Sequence, residues 1–228
     1  MKKVIVISLG GSLIIPDDID SKFLNEFKRT IKRHTSKYKF IIVCGGGSIA
    51  RKYISALREN KISEKFQNMI GISSTRTNAR FLSYFFNQNQ LQGIPEEMKT
   101  VENYIQQSDI VFCGALEYKP NQTSDATSAQ IAQHFKTIFI NLTDVQGLHD
   151  KNPKKFRDAK LIPEISWENF NKIAHKDKYK PGQHFVLDQT ASEIIKKHKI
   201  TTYILGKDMK QFNNLLNNKK FRGTTIIN

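Results

Sequence analysis

Short apolar runs alternate with amphipathic segments along the whole chain. The first two runs, residues 4–9 and 40–43, are almost continuously apolar, and each is followed by a cluster of glycines. Strands without polar alternation are typical of a parallel sheet that is covered on both faces. Helical spacing separates these runs, as in Leu24, Phe27 and Ile31. We therefore predict an α/β fold with a mainly parallel sheet. The predicted strands are 4–9, 40–43, 110–112, 137–140, 202–205 and 224–227, and the predicted helices are near 24–31, 49–59, 78–86, 124–135, 168–174, 189–197 and 210–216.

The composition is that of a globular domain with an excess of positive charge. Hydrophobic residues make up 39% of the 228 residues and charged residues 25%, which excludes general disorder. A chain of this length forms one large domain or two closely packed lobes. Lys and Arg number 36 against 21 Asp and Glu, which gives a net charge of +15. Such a surface attracts nucleic acid, a membrane surface or small phosphorylated substrates, and compositional bias alone also produces it.

The sequence predicts a reducing, cytoplasmic location and no membrane association. The apolar run at the N-terminus covers only four residues before Ser8, which is shorter than the core of a signal peptide. No run approaches the roughly 18 apolar residues of a membrane-spanning helix. Cys44 and Cys113 each end an apolar run, and their spacing suits neither a disulfide framework nor a zinc site. We predict that both are small buried side chains.

The glycine clusters after the first two strands carry the most information about function. Residues 9–12 read Leu-Gly-Gly-Ser, and residues 44–48 read Cys-Gly-Gly-Gly-Ser. Ligands of open parallel sheets bind at the carboxyl ends of the strands, where glycine lets backbone N–H groups approach an anion. Arg51 lies one turn into the following helix and adds a charged donor. Two such loops on adjacent strands predict a site for two phosphate groups, whereas either cluster alone is equally typical of a tight turn.

Two later segments also follow the pattern of loops at strand ends. Residues 120–126 form a Pro-containing loop that leads into a helix, with Thr123 or Ser124 as its N-cap. Residues 141–148 end a strand and open into a charged segment, 149–163, which is too polar to pack and is a candidate lid. The P-loop, dinucleotide, hydrolase-elbow and zinc-protease motifs are absent from the sequence.

Taken in order, these blocks resemble the amino acid kinase family and, within it, the archaeal type of uridylate (UMP) kinase. The matching segments run over nearly the whole chain and are 8–13, 44–53, 70–72, 75–76, 78–79, 120–126, 141–147, 185–188 with Ala191, and 223–226. The resemblance implies a three-layer α/β/α sandwich of the carbamate kinase type, formed as a single domain over residues 1–228. Its acceptor-binding half is about residues 1–115 and its ATP-binding half about residues 116–228.

The resemblance also implies a reaction, its cofactors and the residues that perform it. The reaction is transfer of the ATP γ-phosphoryl group to UMP, giving UDP and ADP, with Mg²⁺. The residues implied in catalysis are Gly10, Gly11, Ser12, Arg51, Asp125 and Asp188. Those implied in ATP binding are Ser8, Gly10, Gly11, Gly47, Arg51, Thr143, Asp144, Gly147, His149 and Asn152. Those implied in UMP binding are Gly46, Asn68, Pro120, Asn121, Gln122 and Thr123. No metal ligand is assigned. We further expect Arg76 and the lysines at 151, 154 and 155 to face phosphates.

Four positions depart from the family pattern. Ser8 stands where many members carry a lysine, and Asn68 stands where UMP kinases carry an aspartate for the ribose hydroxyls. His149 replaces an aromatic residue near adenine, and Asn152 replaces an aspartate. These departures leave open a family member with another acceptor (isopentenyl phosphate, carbamate or an acyl acid) and a non-catalytic nucleotide-binding or anion-binding protein.

Partners are expected from the same analogy. We expect small nucleotides as ligands and a homo-oligomer, a hexamer by analogy with the family. We expect no nucleic-acid partner, because no basic helix is interleaved with aromatic residues.

Overall fold

Strands and helices alternate along the chain, as the apolar pattern predicts. The computed structural model describes residues 2–88, 93–118, 123–175 and 186–228. The strands are β1 Lys3–Leu9, β2 Tyr38–Cys44, β3 Ile110–Cys113, β4 Phe139–Leu142, β5 Glu164–Ile165, β6 Thr202–Leu205 and β7 Thr224–Ile226. The helices are α1 Gly11–Ile14, α2 Ser21–His34, α3 Gly47–Glu59, α4 Glu64–Phe85, α5 Met98–Gln107, α6 Ser124–His134, α7 Trp167–Ala174, α8 Gln189–His198 and α9 Met209–Leu216.

The sheet brings the ends of β1, β2 and β4 together at one edge. Its seven strands run in the order β3-β2-β1-β4-β6-β7-β5, and every neighbouring pair is parallel except β6 and β7. Leu9, the last residue of β1, lies beside Cys44 of β2 and Leu142 of β4. The loops that follow these three strands therefore share the edge where ligands bind in parallel sheets.

Helices cover both faces of the sheet, which confirms the predicted three-layer α/β/α sandwich. On one face Phe27 of α2 packs against Phe86 and Phe212, with ring centroids 5.9 and 6.2 Å apart. On the other face Phe139 and Ile195 are fully buried with residues of α5, α6 and α7. The last five residues of β1 and of β2 are all buried, because both faces of these strands are covered.

Helix α4 begins at Glu64, well before the predicted start at residue 78. Several of its buried positions are polar, among them Ser74, Thr75 and Asn78. The Ser74 hydroxyl donates to the carbonyl of Ile70 in its own helix at 2.8 Å, which satisfies the buried group. Apolar periodicity is therefore weak in the first half of α4, and the pattern did not predict it.

Helix α5 was not predicted, because only Val101 and Ile105 of its ten residues are buried. The two cysteines are free and fully buried, which confirms the prediction made for them. Cys44 and Cys113 belong to the hydrophobic clusters on opposite faces of the sheet. Among the described helices, none combines the length and the apolar character needed to cross a membrane.

Candidate active site

The two glycine loops lie against each other at the carboxyl ends of β1 and β2. A Cβ atom on Gly11 would overlap the amide nitrogen of Gly47 and lie 2.6 Å from its Cα atom. A Cβ atom on Gly45 would overlap the amide nitrogen of Gly11 in the same way. Gly47 also has a φ of +66°, in the left-handed region that favours glycine. Contact between the two backbones therefore explains why glycine occupies these positions.

Helix α3 starts inside the second glycine loop with uncapped N–H groups. Gly46 is its N-cap residue and supplies no side-chain hydrogen bond. By contrast, α2, α6 and α8 are capped by the side chains of Asp20, Thr123 and Asp188. The amide of Ser48 donates to the carbonyl of Ile15 at 3.1 Å. The other N–H groups of the first turn and the positive end of the helix dipole together favour an anion. The loop therefore has the donors that the predicted phosphate site requires.

The structure places Arg51 and Asn68 near this loop, on neighbouring helices. Arg51 is exposed in α3, and its guanidinium donates to the carbonyl of Pro16 at 3.4 Å. Asn68 is half-buried on α4, one turn before Gly71. The Gly71 carbonyl would lie 3.7 Å from a Cβ atom on Gly46. Both residues are thus close to the second glycine loop in the fold.

Two further parts of the prediction are Ser12, implied in catalysis, and the loop that precedes α6, implied in UMP binding. Ser12 is half-buried in α1, and its hydroxyl oxygen would lie 3.8 Å from a Cβ atom on Gly10. Three residues predicted to bind UMP, Pro120, Asn121 and Gln122, lie outside the described residues.

A polar cluster lies where β1 meets the N-termini of α6 and α8. The buried Ser8 hydroxyl donates to Oδ1 of Asp125 at 2.7 Å. Thr123 caps α6 by accepting from the amide of Ala126 at 2.9 Å, and its hydroxyl donates to Oδ2 of Asp188. Asp188 in turn caps α8. Two hydrogen-bonded pairs, Ser8 with Asp125 and Thr123 with Asp188, thereby hold the end of β1 and the N-termini of α6 and α8 together.

The pKa values of both carboxyl groups in this cluster are raised. Desolvation and the neighbouring charge of Asp188 raise the pKa of Asp125 from 3.8 to about 7, although the Ser8 hydrogen bond lowers it. Desolvation also raises the pKa of Asp188, against the hydrogen bond from Thr123. Both residues keep part of their surface open to the cleft, yet protein surrounds their carboxyl groups densely enough for desolvation to dominate.

Asn141 is a site residue that the sequence reasoning did not single out. It lies on β4 beside Ser8 of β1 in the parallel register. Its buried amide donates to the carbonyl of Val186, two residues before Asp188. A polar residue within an otherwise apolar buried strand was the available signal. Asn141 therefore anchors the segment that presents Asp188.

Thr75 and Arg76, which belong to one of the segments that match the family, hold the end of β3. A Cβ atom on Gly114 would lie 2.5 Å from the Thr75 hydroxyl oxygen, which accepts from the amide of Ala115 at 2.9 Å. Arg76 donates to the carbonyls of Ala115 and Leu116 and pairs with Glu96 at 2.6 Å. These protein groups accept from three N–H donors of the Arg76 guanidinium, and the expectation that Arg76 faces phosphate stays a prediction.

Five of the ten predicted ATP-binding residues follow β4 in the chain. Thr143 and Asp144 are half-buried, and Asp144 lines a cavity of about 540 Å³ between this loop, the start of α2 and the β6–α9 turn. Gly147 has a φ of +143°, and a Cβ atom there would lie 2.7 Å from the Thr224 hydroxyl oxygen. The structure therefore brings Asp144 and Gly147 to the same sheet edge as the glycine loops.

His149 and Asn152 lie on the charged segment that follows, residues 148–162, which we call the strap. Nδ1 of His149 lies 3.0 Å from the carbonyl of Gly147. The side-chain oxygen of Asn152 accepts from the amide of Lys154 at 2.9 Å. The ammonium groups of Lys151 and Lys154 are paired with Asp158 and Asp144. In this conformation the side chain of Asn152 thus contacts the backbone of the strap, and that of His149 contacts the backbone of the residue just before the strap.

The described residues hold no cluster of three or more His, Cys, Asp or Glu side chains arranged to bind a metal ion. Mg²⁺ retains several waters and is commonly held by one or two carboxylates together with substrate phosphates. The donors at this edge, N–H groups for phosphates with two carboxyl groups nearby, fit an ion that arrives on a nucleotide.

Comparisons with known proteins agree with this geometry. The model of the "Amino acid kinase family" matches residues 3–206. A uridylate kinase of Thermococcus kodakarensis is 32% identical over 204 residues, 89% of this chain and 90% of that protein. A uridylate kinase of Thermoplasma volcanium is 34% identical over 232 aligned positions, 99% and 98% of the two chains.

A solved structure gives the same result at the level of the fold. The crystal structure of uridylate kinase from Archaeoglobus fulgidus superposes with a TM-score of 0.83 at 31% identity, covering 99% of this chain and 100% of that one. The resemblance inferred from the motifs is thus confirmed over almost the full length. This chain belongs to the amino acid kinase family.

Proposed function

We propose that the chain is a uridylate kinase that transfers the γ-phosphoryl group of ATP to UMP, giving UDP and ADP. The contact between the two glycine loops, beside the Asp125–Asp188 pair, is the observation that carries the proposal. Similarity to uridylate kinases over about nine-tenths of the chain or more supports it.

Phosphoryl transfer needs two phosphates held in line and neutralisation of the charge that spreads between them. We assign the transferring group to Gly10, Gly11 and Ser12. We assign the acceptor phosphate and adjoining ATP phosphates to the second loop, through Gly46, Gly47 and Arg51. The backbone contact between the loops fixes the distance between the two groups of donors, so little reorganisation is needed on binding.

Asp125 and Asp188 act in this proposal by orienting the donors around the phosphates. The Ser8 hydroxyl donates to one oxygen of Asp125, and the Thr123 hydroxyl donates to one oxygen of Asp188. The network therefore connects the end of β1 to the first turns of α6 and α8. Mg²⁺, carried by the nucleotide phosphates, would supply the positive charge that offsets the developing negative charge.

Nucleoside recognition is divided between the two halves of the sheet edge. We propose that Gly46, Asn68, Thr123 and residues 120–122 contact UMP. Residues 1–115 would form the acceptor half, to which the segment 120–123 of the other half contributes. Thr143, Asp144, Gly147, His149 and Asn152 would contact ATP in the other half, residues 116–228. Support comes from the position of Asp144 and Gly147 at the end of β4, next to β1.

A coupled assay of ADP release tests the function directly. The panel contains UMP, CMP, dCMP, AMP, isopentenyl phosphate and acyl acids, each with ATP and Mg²⁺. We expect release that depends on UMP and Mg²⁺, and its loss in Arg51→Ala and Asp125→Asn. Release with another acceptor alone would reassign the substrate, and nucleotide binding without turnover would indicate a non-catalytic protein.

We also propose that the enzyme is a homo-oligomer that acts in the cytoplasm. Helix α3 buries only Gly47, Ser48 and Ala50 and leaves Tyr53 exposed. It packs against α4, whose start carries an exposed apolar group. Phe66 is 57% exposed and Met69 45% exposed. Such a patch is typical of a protein interface, and a second copy of the chain is its proposed occupant. Light scattering of Phe66→Glu should give a smaller species than the native chain.

The control for this variant is Tyr84→Glu, which adds the same charge at the other end of α4, where the side chain is 53% exposed. Tyr84→Glu should retain the native mass. A native chain that is monomeric at assay concentration would overturn the proposed assembly.

A further inference from the structure

The strap is anchored firmly at its base. The Thr224 hydroxyl accepts from the amide of Leu148 at 2.8 Å and donates to the carbonyl of Ile162 at 2.6 Å. The amide of Ile162 donates to the carbonyl of Leu148 at 2.8 Å, and His149 and Leu161 form an antiparallel bridge. These contacts fix where the strap leaves the sheet.

The tip of the strap is joined to the end of β4 by an ion pair. Asn152 closes a turn by accepting from the amides of Lys154 and Phe156. The Lys154 ammonium contacts the carboxylate of Asp144, which lies two residues beyond β4. The other ion pair of the strap, Lys151 with Asp158, lies within the strap itself. Lys154 is thus the strap cation that reaches the sheet edge within the described part of the chain.

This pair contributes little to folding and much to the charge of the site. The side chain of Lys154 is 53% exposed and that of Asp144 27% exposed, and ion pairs this exposed add little stability. Asp144, however, lines the cavity at the end of β4. An unpaired carboxylate there would repel the phosphates of a nucleotide, and the Lys154 ammonium cancels that charge.

We propose that Lys154 is a positioning residue for ATP: it neutralises Asp144 and holds the tip of the strap beside the nucleotide site. The inference deepens the proposed function, on which it rests. Lys154 acts through Asp144 and does not itself bind phosphate. Loss of the Lys154 ammonium should therefore weaken ATP binding only while the Asp144 carboxylate is present.

A double-mutant cycle tests this dependence. Binding of Mg·ATP is measured by calorimetry without UMP, and kcat and KM for ATP are measured with UMP, for the native chain, Lys154→Met, Asp144→Asn and the double variant. Lys154→Met should weaken ATP binding and raise KM about fivefold at low salt, with kcat nearly unchanged, because one uncompensated charge faces a multivalent anion. The double variant should regain native affinity within about twofold.

Two controls separate this role from others. Lys160→Met removes the same charge from an exposed position elsewhere on the strap and should leave ATP affinity nearly native. The Lys154→Met defect should also shrink in about 0.5 M KCl, which a loss of packing would not show.

The outcomes that overturn the proposal are specific. A double variant as weak as Lys154→Met would mean that the lysine binds the nucleotide directly. An equal defect in Lys160→Met would mean that only net charge matters. Native ATP binding without UMP turnover would overturn the proposed function and leave this test readable, whereas a native chain that binds no Mg·ATP would overturn both.

Discussion

Asp125 makes the stability of this protein depend on pH, and asparagine at this position should remove that dependence. Desolvation and the nearby Asp188 charge raise the pKa of Asp125 from 3.8 to about 7. Between these values the native state holds a proton that the unfolded chain has lost, so stability falls as the pH rises. Asparagine has nearly the same shape and no charge, and its side-chain oxygen can still accept from the Ser8 hydroxyl.

The size of the effect follows from the shift. A displacement of about three pKa units corresponds to about 4 kcal/mol once the pH exceeds 7, at 1.36 kcal/mol per unit. Raising the pH from 5 to 8 crosses about two of these units, or about 3 kcal/mol. Water in the cleft screens part of this, because Asp125 is only half-buried. We therefore expect the stability advantage of Asp125→Asn to grow by about 2 kcal/mol from pH 5 to pH 8.

Urea unfolding followed by circular dichroism at pH 5 and pH 8 measures this difference. Asp18→Asn is the matched control, since it removes the same charge from an exposed position and should show no comparable change with pH. A stability difference between Asp125→Asn and the native chain that stays constant over this range would refute the reasoning. A larger advantage at pH 5 than at pH 8 would show that its sign is wrong.

Three further predictions concern the site. Gly11→Ala should lose about 3 kcal/mol of stability or fail to fold, because its Cβ would lie 2.6 Å from the Cα of Gly47. In the control, Gly71→Ala, the nearest atom lies 3.4 Å from the new Cβ, so the free energy of unfolding in urea should stay within about 1 kcal/mol of the native value. Thr123→Val should lower the free energy of unfolding by about 1 to 2 kcal/mol through loss of the α6 cap, and Thr123→Ser should restore it; equal stability of the two would contradict the capping role. Arg51→Ala should lower kcat/KM for UMP about 100-fold with unchanged unfolding, and near-native activity would remove Arg51 from the catalytic set.

Most of the order of elements could be predicted, because six of the seven strands contain an apolar run that is visible in the local sequence. The exception is β5, which has only two residues, neither of them buried, and was not predicted. Five consecutive buried residues at the end of β1 leave an apolar run that needs no tertiary information to recognise. Helix α4 lacks that property, since its polar residues are satisfied inside the fold. Asn78, for example, donates to the carbonyl of Gly45 at 2.7 Å, a partner 33 positions away. Patterns of hydrophobicity describe burial of apolar groups and say nothing of such pairings.

The candidate site likewise has features that could be predicted from the sequence and features that could not. The glycine loops were predictable, because residue type and position at a strand end together indicate an anion site. The contact between Ser8 and Asp125 was not, because it joins residues 117 positions apart and depends on where α6 crosses the end of β1. The pairing of Lys154 with Asp144 likewise depends on how the strap folds back. In both cases the side chains were named in advance, while their partners required the fold.

The Ser8 departure also explains why charge at this site must come from elsewhere. A lysine at this position, as in many family members, would place an ammonium group against Asp125 and lower its pKa. Ser8 offers only a hydroxyl, and within the described residues no cation is among the interactions that set the pKa of Asp125 or Asp188. The half-buried pair therefore lowers its own charge by retaining a proton near neutral pH. In the proposed reaction, Mg²⁺ carried by the nucleotide would supply the missing positive charge, so we expect nucleotide binding to release protons and to tighten as the pH rises through 7.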